Sequence, residues 1–207
     1  MSRLLINGFE AREGVIEAPP SKALTLRYLL ASALSRTWVS LSRLNWGDDT
    51  WSMIRGTKPI SEIEIRGDHV RIRRGVSFER FRVVDVGESG FTLRTLTGVY
   101  SGIEGVTLLM PRGSLIDRPM DELIGALRSL NVKIDRLGSI IRVTGSKVVG
   151  GYIMISGSVS SQYISSLLYL APFTEGGIEI SIKPPVKSRP YIDATINVLK
   201  DFGINVE

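Results

Sequence analysis

The chain repeats itself. Three helix-like segments, "LTLRYLLASAL", "FTLRTLTGVYS" and "SSQYISSLLYLAP", open near residues 21, 90 and 160, about 70 residues apart. The first two share Thr-Leu-Arg, at Thr25-Leu26-Arg27 and Thr92-Leu93-Arg94. Strand-like runs surround them: "GVIEA", "WVSLS", "EIEIRG", "HVRIRR", "FRVVDV", "GVTLLM", "VKIDRL", "IIRVTG", "YIMISG", "IEISIK" and "INVE". Helices are expected over 21–35, about 48–55, 90–102, 119–130, 160–171 and 190–202. Units one and two close with a hairpin, and unit three stops at "INVE", where its hairpin would begin. The pattern is two and a half copies of a β-α-β-α-β-β unit, over about 13–75, 81–145 and 149–207. The expected fold class is therefore α/β, in one domain spanning 13–207, with 1–12 standing outside the repeat. A chain ending inside its last repeat is expected to be a fragment, or half of something larger.

Bulk properties narrow the function. There are no cysteines and only one histidine, His69, so neither disulfides nor a thiolate or histidine metal site is expected. No cofactor or metal is called for. The N-terminus "MSRLLINGFEAREG" lacks the apolar core of a signal peptide, no apolar run reaches membrane length, and a cytoplasmic protein is expected. The net charge of +5 favours an anionic partner.

The cations sit in unusual places. A helix N-terminus carries partial positive charge and unpaired N–H groups, so it favours anions. Yet Lys22 stands in the first turn of the first helix, and Arg94 lies about a turn into the third. Arg118-Pro119 and Arg189-Pro190 open two others, with Pro expected at the first helical position. Ser160, Ser161 and Gln162 open the fifth helix with oxyanion donors. Each has a plain alternative as a cap or a solvated surface residue. Parallel packing of the repeats would instead gather them on one face, as a site for a multiply anionic small molecule. Gly87 and Gly90 in "DVGESGFTLR" lie at a strand-to-helix turn, where backbone can approach a ligand. No P-loop pattern occurs. Asp48 and Asp49 in "WGDDTW" are open to two readings, a carboxylate pair for chemistry or metal, or caps of the short second helix, where Asp is favoured. The basic residues are single and lack interleaved aromatics, which argues against nucleic acid.

"PPSKALTLR", "GESGFTLR", "SLIDRPMDELIGALRSLNVKI", "GSVSSQYISSLL" and "KSRPYIDATINVLKDFGI" together resemble the enolpyruvyl transferases, in chain order and over essentially the whole length. The last two are similar to motifs of the branch that acts on shikimate 3-phosphate. The resemblance implies a two-domain inside-out α/β barrel. Each domain has three units about a pseudo-threefold axis, and ligands lie in the cleft between domains. This chain would supply one such domain, with 1–12 belonging to the other.

The resemblance also implies transfer of the enolpyruvyl group from phosphoenolpyruvate to the 5-hydroxyl of shikimate 3-phosphate, in aromatic amino acid biosynthesis. Lys22 would touch both substrates and be the catalytic residue present. Shikimate 3-phosphate would be held by Lys22, Arg27, Ser160, Ser161, Gln162, Ser188 and Tyr191. Phosphoenolpyruvate would be held by Lys22, Gly90, Arg94, Arg118 and Gln162. Ser21 would shape the first loop, and Arg189 would add charge nearby. The acid and base groups would lie in a C-terminal half, so this chain alone is expected to be inactive. Three positions depart from the family pattern: Pro20 replaces a glycine, Ala23 a serine, and Phe91 a small residue. Phe91 is expected to weaken phosphoenolpyruvate and glyphosate binding. A UDP-sugar enolpyruvyl transferase and a non-catalytic anion-binding paralogue are the alternatives.

Overall fold

The computed structural model describes Leu5, Gly8 and residues 13–207. The segment 1–12, expected to belong to another domain, lies almost wholly outside them. Unit one contains α1 (Lys22–Leu34), β1 (Val39–Leu41), α2 (Asp48–Thr57), β2 (Ser61–Arg66) and β3 (His69–Arg74). Unit two contains β4 (Phe81–Gly87), α3 (Gly90–Ser101), β5 (Gly105–Pro111), α4 (Asp121–Ser129), β6 (Lys133–Leu137) and β7 (Ile140–Gly145). Unit three contains β8 (Gly151–Ser156), α5 (Ser161–Leu170), β9 (Ile178–Lys183) and α6 (Arg189–Asp201).

The three sheets are sections of one template. Unit two is complete, in the order β4-β5-β7-β6, with β4 and β5 parallel and the remaining pairs antiparallel. Unit one shows β1-β3-β2, the same order without its first strand. Unit three shows the parallel pair β8-β9, the same order without its hairpin.

Two expected strands are therefore absent. Residues 14–18 are irregular and exposed, with Val15 and Ile16 projecting outward. Residues 204–207 are irregular too, although Ile204 and Val206 pack on the core. Strand propensity cannot form a strand alone, because its backbone groups need a ladder partner.

Helices make the centre and sheets the outside. All 12 residues of α3 are buried, as expected for a helix without a polar face. Its threonines and serine turn their hydroxyls onto the preceding turn, as Thr95 does to the Phe91 carbonyl and Thr97 to that of Leu93. Gly98 lets α3 touch α5: a Cβ there would stand 2.5 Å from the Ser166 carbonyl oxygen. β4 alternates an inner face of Arg82, Val84 and Val86 with the exposed Phe81 and Val83.

The first helix of every unit starts in the same way. Ser21, Ser89 and Ser160 are the N-caps of α1, α3 and α5, and each side chain accepts a backbone N–H of the first turn. The second helices have no such cap. Their N-caps are Gly47, Met120 and Ser188, none with a side-chain cap bond. Asp48 and Asp49 thus occupy the first turn of α2 without capping it. Pro119 precedes α4 and is not its first residue, because Met120 intervenes as N-cap.

Candidate functional site

An open cleft of about 690 Å³ lies where the helix N-termini meet. α1 brings Ser21, Lys22, Ala23, Leu26 and Arg27, and α2 brings Asp49. The β4–α3 turn brings Glu88, Gly90 and Phe91, and the loop before α4 brings Arg118. α5 contributes Val159, Ser160, Ser161 and Gln162 at its start, and α6 contributes Ser188 and Tyr191. All six helix starts therefore share one wall. Their orphan N–H groups and dipoles point where an anion would sit.

Every expected site residue but one lines this cleft. The exception is Arg94, which lies just behind it and donates from Nη1 to Gln162 Oε1 at 2.6 Å. A Cβ on Gly90 would stand 2.7 Å from Arg94 Nη1 and 3.6 Å from Arg118 Nη1. The missing side chain thus leaves room for two guanidinium groups beside a helix start. Among the described residues, neither arginine pairs with a carboxylate. Burial lowers the Arg94 pKa, partly opposed by Tyr163, and the nearby Arg118 charge lowers it further. Arg94 Nε is buried without a partner. Two unpaired like charges at a helix N-terminus make a strong anion subsite.

Arg27 is engaged differently. Its Nε donates to Thr195 Oγ1 at 2.9 Å, Nη1 to the Ala23 carbonyl at 2.8 Å, and Nη2 to the Tyr191 carbonyl at 2.9 Å. The Phe91 ring lies 4.7 Å and the Tyr191 ring 5.7 Å from its guanidinium carbon. Burial lowers its pKa, opposed by the Tyr169 and Tyr191 hydroxyls. Phe91 thus lines the cleft with its ring set against Arg27.

Lys22 meets Asp49 across the cleft, Nζ to Oδ2 at 2.9 Å. Desolvation pushes the Asp49 carboxyl up, but Ser89, Lys22 and Arg118 outweigh it and hold it below the usual carboxylate range. Ser188 takes a left-handed backbone, φ 57° and ψ 36°, at the start of α6. Such a conformation costs a non-glycine residue about 1–2 kcal/mol, and it leaves the Ser188 hydroxyl free of capping duty. Arg189 turns away to Asp193, Nε to Oδ1 at 2.8 Å, and does not line the cleft.

A sequence profile described as EPSP synthase (3-phosphoshikimate 1-carboxyvinyltransferase) matches residues 6–207. The chain belongs to this EPSP synthase family. The 3-phosphoshikimate 1-carboxyvinyltransferase of Methanocaldococcus jannaschii is 34% identical over 216 residues, covering 100% of this chain and 50% of that protein. The enzyme of the same name from Nitrosopumilus maritimus is 32% identical over 198 residues, covering 94% and 47%. A solved EPSP synthase from Acinetobacter baumannii superimposes with a TM-score of 0.79 at 22% identity, over 94% of this chain and 44% of that one. The chain thus spans about half the length of the EPSP synthases it matches.

Sequence reasoning missed two carboxylates in this EPSP synthase cleft. Asp49 read more readily as a cap, because its partner Lys22 is 27 residues away in sequence. Glu88 gave no signal beyond its place in "GESG". It accepts from Ser114 N at 3.1 Å and Ser114 Oγ at 3.2 Å, tying the β4–α3 turn to the loop before α4.

Proposed function

We propose that this chain is the N-terminal, substrate-binding half of a cytoplasmic 3-phosphoshikimate 1-carboxyvinyltransferase. The observation that carries the reading is the cleft itself: six helix starts with Lys22 and Arg118 in its lining and Arg94 just behind it, neither arginine paired with a carboxylate among the described residues. A substrate pair bearing two phosphates and a carboxylate suits that surplus of positive charge.

In this reading the 5-hydroxyl of shikimate 3-phosphate adds to C2 of phosphoenolpyruvate while C3 takes a proton. Phosphate then leaves by C–O cleavage as C3 gives up a proton, which restores the C2–C3 double bond of the enolpyruvyl ether; the 5-hydroxyl proton goes to a base of the other half. Arg94, Arg118 and the Gly90 turn hold phosphoenolpyruvate. Ser160, Ser161 and Ser188 hold the 3-phosphate side, with Gln162 between the ligands and Tyr191 beside the ring. Lys22, paired with Asp49, reaches both substrates. Arg27 acts mainly by fixing Tyr191 and the α1 backbone, with its remaining N–H groups toward the shikimate ring. The proton-transfer groups belong to the other half, and residues 1–12 to the domain it forms.

Calorimetric titration of the 207-residue chain with shikimate 3-phosphate tests this. Weak binding without turnover is expected, with enolpyruvyl transfer by the full-length protein. Preference for a UDP-sugar over shikimate 3-phosphate, or no transfer by the full-length protein, would overturn it.

A further inference from the structure

Tyr163 belongs to none of the substrate-binding assignments above, yet it touches Arg94 and the residue that follows Arg118. It is the third residue of α5 and is fully buried. Its ring lies under the Arg94 guanidinium, 5.6 Å from Cζ to the ring centroid. Its hydroxyl donates to the Pro119 carbonyl at 2.6 Å. Pro119 directly follows Arg118 and precedes the α4 N-cap, so its carbonyl lies outside the helical ladder. Burial raises the Tyr163 pKa, so the hydroxyl stays protonated and remains a donor at neutral pH.

The loop that carries Arg118 has few other anchors near that residue. Its first part is tied by Glu88 to Ser114 and by Arg136 Nη2 to the Ile116 carbonyl at 2.8 Å. Beyond Ile116, the Tyr163 hydroxyl is the side-chain tie among the described residues, joined by the Arg118 N–H to the Leu115 carbonyl. Gln162, the residue before Tyr163, lines the cleft and accepts from Arg94. One buried side chain on unit three thus meets Arg94 directly and the backbone next to Arg118.

We propose that Tyr163 is a positioning residue for phosphoenolpyruvate, holding Arg118 through the Pro119 carbonyl and Arg94 through its ring. This rests on the enolpyruvyl-transfer reading above. A tyrosine needed only to fill the core would be replaced by phenylalanine without consequence, because the ring and its packing survive. A tyrosine acting through its hydroxyl would not.

The test is steady-state kinetics of full-length Tyr163→Phe with both substrates, alone and combined with Arg118→Ala. The KM for phosphoenolpyruvate should rise about fivefold, the worth of roughly one neutral hydrogen bond. The kcat and the KM for shikimate 3-phosphate should stay unchanged, and the Phe substitution should have no further effect once Arg118 is gone. Tyr163→Leu, which also removes the ring from Arg94, should raise the phosphoenolpyruvate KM further. An unchanged phosphoenolpyruvate KM in a folded Tyr163→Phe protein would overturn the assignment. So would an equal rise in both KM values, or the same fivefold loss persisting without Arg118. An inactive wild-type protein would instead sink the transfer reading, so the two failures are told apart.

Discussion

Arg27 and Arg94 each close a Thr-Leu-Arg on the first helix of their unit, six residues after the N-cap Ser21 and five after the N-cap Ser89. Both are buried, at 2% and 6% exposure. Arg27 spends three donors on protein acceptors and is flanked by two aromatic rings. Arg94 makes one side-chain bond, to Gln162, and leaves Nε unpaired. The same tripeptide thus carries an arginine tied to the protein in one unit and an arginine with spare donors in the next. What separates them is the partner each repeat offers: Tyr191 and Thr195 for Arg27, Gln162 for Arg94.

The largest effect should come from Arg27→Ala. It removes three hydrogen bonds and strands buried acceptors, which should cost about 3 kcal/mol or more. For a chain of this size that lowers the Tm by roughly 10 °C. An unchanged melting curve would erase the contrast. Arg94→Ala should do the reverse. Its Tm should stay near wild type, while calorimetric affinity for phosphoenolpyruvate falls about 30-fold or more, as for other truncated charge contacts. If both variants lose stability equally and neither loses ligand selectively, the two arginines are equivalent after all. Phe91→Thr sharpens the comparison by removing the buried ring that lies against Arg27. Losing its packing and its contact with the cation should cost about 2–3 kcal/mol, read as a Tm drop of roughly 7 °C.

The smallest effect concerns Lys22 and Asp49. Folding lowers the Asp49 pKa, so its contribution is present above the unfolded value, near 4, and is lost as pH falls through the folded value. With both side chains partly solvated, that contribution should lie within about 1 kcal/mol. Wild type and Asp49→Asn should therefore differ slightly at neutral pH and converge in acid. A gap that widens on acidification would contradict the pairing.

Sequence alone made much of this legible, for identifiable reasons. The helices announced themselves through their own residues: apolar spacing near 3.6, with Gly, Pro and Asp between them. Paired strands were legible too, but 14–18 and 204–207 were not, because a strand depends on a neighbour that its own residues do not specify. The same limit applies within the site. Lys22, Gly90, Arg94, Arg118 and Ser160 stood out by their position at helix starts. Asp49, and the placing of the Phe91 ring on Arg27, depend on residues in other elements that only folding brings close.

The contact of Gly98 with Ser166 reaches beyond packing. It sets backbone against backbone between α3 and α5, so the two helix starts cannot slide or part without opening the core. The turn at Gly90 and the helix start at Ser160 and Ser161 are thereby held at a fixed separation. On the function proposed above, two anions bound there would surrender their own freedom, while the helix starts receiving them would stay fixed. The span between the two binding positions acts as a ruler cut into the helix crossing, and a single methyl group at Gly98 would change its length.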